Sequence, residues 1–189
     1  MCTSSLYEFF YEGVKWIVDT FDFPLHGWLE NEDWDSLQRV SALFAAASGG
    51  AFLGCIGALD GLAVKIRCPT LSDLISDPGN YYCRKGFYAL NVQAICDKLR
   101  RFLWVKTGNK GSTHDSTAFD GTRLNQELLS KLADKLREKG FFLVGDKAYP
   151  LLAYLLVPFD NPESMSSEDA FNYWLSNSRI QIECAFGKC

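Results

Sequence analysis

The chain has no Cys-x-x-Cys pair, although it carries seven cysteines in 189 residues. Spread over positions 2, 55, 68, 83, 96, 184 and 189, they give neither zinc-ribbon nor dithiol-redox spacing. Reduced thiols in an intracellular compartment are the plain reading. Cys55 and Cys96 lie inside apolar runs and read as small core residues. A basic surplus is also missing: 19 Lys and Arg stand against 23 Asp and Glu, for a net charge of −4. Neutralising phosphates supplies much of nucleic-acid affinity, so this balance argues against DNA binding by the chain alone. It leaves room for carboxylates that are covered by divalent cations. No apolar run approaches a membrane span, and MCTSSLYEFFYEG lacks both a basic n-region and a long h-region. The expectation is a soluble, unsecreted protein. There is no glycine-rich phosphate loop, no internal repeat and no low-complexity tract.

What is present is a globular composition, 48% hydrophobic and 14% aromatic. Ser5-x-x-Glu8 has the form of a capping box. Leu6, Phe9, Phe10, Ile17, Val18 and Phe21 follow at helical spacing, predicting a helix to about residue 20 that Phe23-Pro24 ends. A second helix is expected from Asp33 to Ala47, stopped by Gly49-Gly50. Residues 1–50 are thus expected to be an N-terminal helical segment, and 51–189 the main domain. Strands are expected at Phe52–Leu59, Leu62–Ile66, Phe87–Cys96 and Phe102–Thr107. Thr70 to Lys85 reads as a loop. Leu124, Leu128, Leu132 and Leu136 fall four apart within a helical stretch from Ser116 to Lys139, with Gly140 as its C-cap. Phe141–Val144 is a short strand running into Gly145-Asp146, a helix-rich stretch follows, and SNSRIQIECAFGKC closes the chain as a helix. Strands, helix, strand and helices make an α/β layer arrangement, a mixed sheet flanked by helices in the order of ribonuclease H-like domains.

Three acidic residues stand where strands are expected to end: Asp60 after Phe52–Leu59, Asp115 in KTGNKGSTHDST, and Asp146 after FFLVG. Active sites in open α/β sheets gather at the carboxyl ends of strands. Glu183 would join these residues from the last helix. Carboxylates held together repel one another, and divalent cations with oxygen ligands, Mg²⁺ or Mn²⁺, remove the conflict. Each has a plainer reading. A lone Asp at a strand end is commonly a turn former or a cap, and Asp115 stands where it could cap the helix after it. Glu183 alone would be an ordinary helix-surface residue, and His114 a surface residue or a neighbour of the ligands. Asp60 and Asp146 have apolar residues behind them, which fits a plain role less well.

The stretches IGALDGLAVKI, RKGFYALNVQAICD, GSTHDSTAF, FFLVGDKAYP and SRIQIECAFGK together resemble the transposases of PIF/Harbinger DNA transposons and their domesticated nuclease descendants. The five blocks occur in the family's order over about residues 52 to 188. The resemblance implies a ribonuclease H-like fold, a DDE-type site with two divalent metals, and DNA cleavage and joining in the nucleus. It places the family's acidic positions on Asp60, Asp115, Asp146 and Glu183. The strand order favours Asp60, Asp146 and Glu183 as the catalytic triad, leaving Asp115 as a fourth metal ligand or a residue behind the ligands. Lys65, Arg84, Lys85 and Lys110 are candidates for phosphate contacts, or simply solvated charge. The substrate implied is DNA, at transposon ends or related sites. The family's upstream DNA-binding region has no counterpart in the acidic, aromatic N-terminal residues, so a separate DNA-binding partner protein is expected. Asn109-Lys110 stands where the family tends to place a proline, and the chain stops soon after Glu183, as a shortened copy would. Two further readings stay open: a non-catalytic descendant acting through protein contacts, and a different metal-dependent phosphoesterase.

Overall fold

The computed structural model describes residues 23–69 and 77–187. The helix expected before residue 20 lies outside the described residues. Pro24 opens a helix, α1 (Pro24–Glu30), where its missing N–H costs nothing and its fixed φ suits the first turn. Asp33 then caps α2 (Trp34–Ala47), accepting from the Ser36 amide at 3.0 Å. Leu37, Val40 and Phe44 form the buried stripe of α2, and this face packs against the central strand of the sheet.

That strand, β1 (Cys55–Lys65), is continuous, whereas the sequence suggested two strands broken at Asp60-Gly61. Pairing along the whole of β2 (Ala89–Cys96) carries β1 through the glycine, with Asp60 opposite Ala94 and Gly61 opposite Gln93. β3 (Phe102–Lys110) pairs antiparallel with β2. On the other side of β1 lies β4 (Phe142–Val144), parallel, followed by β5 (Leu155–Leu156). The order is therefore β3-β2-β1-β4-β5, a mixed five-stranded sheet flanked by helices, as ribonuclease H-like domains have it. β5 stands in the stretch expected to be helix-rich. Two residues of strand leave no readable period, and parallel pairing to β4 defines them.

The helical stretch after β3 is also more broken than its leucine spacing suggests. It comprises α3 (Asp115–Asp120), α4 (Arg123–Glu127), a π turn (Leu128–Leu132) and α5 (Ala133–Lys139). Thr122 breaks the run by capping α4 through the Asn125 amide. Gly140 closes α5 in the left-handed conformation, φ 72°, as its position implied. The last helix, α6 (Ser167–Ala185), begins at Ser166, which accepts from the Asp169 amide.

The helices cover both faces of the sheet. Gly57, Leu59 and Gly61 point one way along β1, and Ala58 and Asp60 the other. Trp104, opposite Ile95, meets Phe119 of α3 edge-on, so α3 lies over the Gly61 face. Phe102, opposite Cys96, meets Phe186 just beyond α6, so α6 lies over the Asp60 face. Cys55 and Cys96 are buried and free, and desolvation pushes both thiols up to about 12. They are core residues, as the sequence suggested. A charge buried in the β2–β3 turn, Asp97, serves the fold. It accepts from the Leu99 and Arg101 amides at 2.9 Å and is paired with the Arg101 guanidinium.

Candidate active site

Two strands bring two carboxylates together. Ala58 of β1 lies beside Val144 of β4 in parallel register. Two residues further along each chain come Asp60 and Asp146, so the register carries both to the same end of the same strand pair. β4 stops there while β1 continues, which opens a cleft between them. Asp60 is 8% exposed. Asp146 is half-buried at the head of a turn, where its Oδ1 accepts from the Ala148 amide at 2.8 Å.

Asp115 arrives from the opposite face. It is the first residue of α3, not its cap. His114 holds the cap position without a side-chain bond and is exposed. The Asp115 carboxylate instead turns onto the sheet, where Oδ1 accepts from Asn91 Nδ2 at 2.8 Å and from Gln93 Nε2 at 3.0 Å. The capping reading is therefore replaced by two charge-assisted bonds from β2. Gly61 makes room for this carboxylate: a Cβ there would stand 2.0 Å from Asp115 Oδ1 and 2.8 Å from Gln93 Nε2. The glycine that looked like a turn signal is a site for close approach.

Tyr149 joins the two sides. Its hydroxyl donates to Gln93 Oε1 at 2.7 Å. Burial, followed by the negative charges of Asp115, Asp60 and Asp146, drives its pKa far above the ordinary tyrosine value, with Arg179 acting weakly the other way. The phenol is therefore a fixed neutral donor. Asp60, Asp115, Asp146 and Arg179 thus each act through space on this one buried hydroxyl.

Glu183 is the outlying member. On α6 the buried stripe is Leu175, Ser178 and Ile182, and Arg179 and Glu183 follow one residue later along its rim. Their ion pair measures 3.7 Å, with the Glu183 side chain 41% and that of Arg179 17% exposed. Glu183 is thus paired within its own helix with Arg179, whose Nε is buried without a hydrogen-bond partner. Among the described residues, the His, Cys, Asp and Glu side chains whose ligand atoms all lie within 4.8 Å of one another are elsewhere, at His26, Glu30 and Glu127.

The sequence reading missed Asn91, Gln93, Tyr149 and Arg179. Two amides at alternate positions of an otherwise apolar strand, ALNVQAIC, were the available signal for the first two. Of the candidate phosphate contacts, Lys65, Arg84 and Lys85 are exposed and Lys110 is half-buried. Lys65 Nζ lies 5.9 Å from the centre of the Phe87 ring.

Residues 59–189 match the profile of the DDE superfamily endonucleases. The chain belongs to that family. Its relatives include "Putative nuclease HARBI1" of Xenopus laevis, 32% identical over 60% of this chain and 30% of that protein. The Bos taurus protein of the same name is 31% identical over 82% of this chain and 40% of its own length. "Protein ALP1-like" of Arabidopsis thaliana is 29% identical over 82% and 39%. The chain therefore spans less than half the length of these relatives. No solved structure matches it significantly. The endonuclease family implies a nucleic-acid substrate and a general dependence on divalent metal. None of the described helices is long and apolar enough to cross a membrane.

Proposed function

We propose that this domain is the catalytic part of a DNA endonuclease or transposase in which Asp60, Asp146 and Glu183 hold divalent metal ions. The observation that carries the reading is the parallel β1–β4 register, which sets Asp60 and Asp146 at the same end of one strand pair. The donor set suits the group: carboxylate oxygens are the ligands that Mg²⁺ and Mn²⁺ take. Such ions, when bound, favour in-line displacement at a phosphodiester by activating the attacking oxygen and stabilising the departing one.

The chain's own residues divide the remaining work. Asp60 and Asp146, fixed by parallel register, supply the rigid half of the ligand set. Asn91 and Gln93 hold Asp115 over Gly61, where its charge adds to the field at the cleft. Asp115 lies over the face opposite to Asp60, so we assign it to orienting and charging the site rather than to the triad. Arg179 holds Glu183 at the rim until a cation competes for the carboxylate. Tyr149, held neutral, donates to Gln93 and offers no phenolate nucleophile, so no covalent protein–DNA intermediate is required. The scissile DNA is proposed to be supplied by a separate DNA-binding protein, in the nucleus.

The test is nicking of supercoiled plasmid with Mg²⁺ or Mn²⁺. The wild-type chain is expected to nick and Asp60→Asn to leave the plasmid intact. Equal background cleavage by both would favour a non-catalytic descendant that acts through protein contacts.

A further inference from the structure

A second cluster of ligand-type side chains lies away from the acidic cleft, where α1 meets α4. His26 and Glu30 are four residues apart on α1 and share one face, and Glu127 reaches them from the end of α4. One ligand atom from each lies within 4.8 Å of the others. His26 Nε2 is 2.7 Å from Glu127 Oε2, and His26 Nδ1 is 3.4 Å from Glu30 Oε2. Both ring nitrogens therefore face carboxylate oxygens, and a neutral imidazole can donate from only one of them.

The short contact is an ion pair that helps hold the Glu127 carboxyl below its ordinary pKa, with the oxygen standing off the N–H axis. His26 Nε2 is sealed from solvent yet lacks a partner with hydrogen-bond geometry, despite the nearby Glu127 oxygen. A hydrogen bond would place that oxygen along the N–H axis. Two ligands of one ion stand side by side, with the ion on the nitrogen's lone-pair axis. With Zn–N and Zn–O bonds of roughly 2.0–2.2 Å, neighbouring ligand atoms sit about 3 Å apart. The offset of the His26 Nε2–Glu127 Oε2 pair is close to that arrangement, and Glu30 Oε2, now nearer Nδ1, would turn to reach an ion on Nε2.

The outer oxygens of both carboxylates are already engaged. Arg123 Nη2 binds Glu30 Oε1 at 2.9 Å and Arg123 Nε binds Glu127 Oε1 at 2.7 Å. The guanidinium thereby turns both Oε2 atoms inward to the imidazole, the role that outer hydrogen bonds play for metal-ligating carboxylates. With a neutral imidazole the four side chains sum to one negative charge.

We propose that His26, Glu30 and Glu127 form a second metal site, for a borderline transition-metal ion such as Zn²⁺, which fastens α1 to α4. The mixed nitrogen and oxygen set distinguishes it from the all-oxygen cleft, which suits Mg²⁺ or Mn²⁺. The proposal does not depend on the chain being a nuclease.

The experiment titrates the full chain, carrying Asp60→Asn and Asp146→Asn to silence the cleft, with Zn²⁺ against a chromogenic chelator in excess Mg²⁺. One equivalent of zinc is expected to bind, and His26→Gln to weaken it at least tenfold. Zinc is also expected to raise the melting temperature of the first chain and not of its His26→Gln derivative, with matching far-UV circular dichroism before zinc is added. Should His26→Gln misfold, Glu30→Gln at the half-exposed rim reads the same loss. No zinc binding, or equal affinity in the His26→Gln or Glu30→Gln chain, would overturn the site.

Discussion

Asp115 and Glu183 occupy opposite faces of the same sheet, and the two are held very differently. Asp115 is pinned by two amide donors from the interior of β2 and seated over Gly61, where an added Cβ would stand 2.0 Å from its Oδ1. Glu183 stands on a helix rim, half in solvent, in a single ion pair at 3.7 Å with a residue of its own helix. The contrast separates a carboxylate that the fold builds in from one that is free to turn toward a cation. Asp60 and Asp146 lie between the two extremes, set in place by the backbone register of β1 and β4. A rigid base with one adjustable ligand is an arrangement that can admit a metal ion without rebuilding its core.

The largest effects are expected at the register-fixed pair. Asp60→Asn and Asp146→Asn should each lower metal-dependent nicking by more than about 100-fold, because even residues behind a ligand cost about 10–100-fold in metal affinity or activity. Plasmid nicking by variants of matched circular dichroism checks this. Next is Gly61→Ala, whose Cβ would meet Asp115 Oδ1 at 2.0 Å. Overpacking of this kind costs about 1–3 kcal/mol, read as a lower urea midpoint. Asp115→Ala would leave Asn91 Nδ2 with Thr113 O and Gln93 Nε2 with Asn91 Oδ1 but take one acceptor from each, at about 1–3 kcal/mol, and should lower the midpoint with or without metal. Glu183→Gln is expected to change stability least, by under about 1 kcal/mol, since exposed ion pairs contribute little. Its loss should appear in nicking alone. If Glu183→Gln destabilised the fold as much as Asp115→Ala, the division between built-in and adjustable carboxylates would fail.

The sequence made the site legible in parts, for physical reasons. Asp60 and Asp146 stood out because each follows an apolar run, and parallel register between those runs sets both at the same end of the strand pair. Cys55 and Cys96 were readable as core from their neighbours alone. The helix boundaries at Asp33 and Gly140 were readable from capping chemistry. Gly61 misled, because glycine serves both turns and close approaches, and only the Asp115 carboxylate above it decides between them. Asp115 misled as well. Its position before Ser116-Thr117 suits a cap, whereas its actual partners are 22 and 24 residues away on β2. Arg179 carried no signal of its own, since one arginine on a helix is ordinary until its neighbours in space are known. β5 was too short for any periodic pattern.

The central claim is that Asp60 and Asp146 share a cation, and anomalous diffraction from crystals grown with Mn²⁺ tests it most directly. The account predicts an anomalous peak bonded to the Asp60 and Asp146 carboxylates, with Glu183 turned from Arg179 toward it and the peak gone in Asp60→Asn. Bound manganese that touches neither aspartate, or a cleft that stays empty at saturating Mn²⁺, would contradict it.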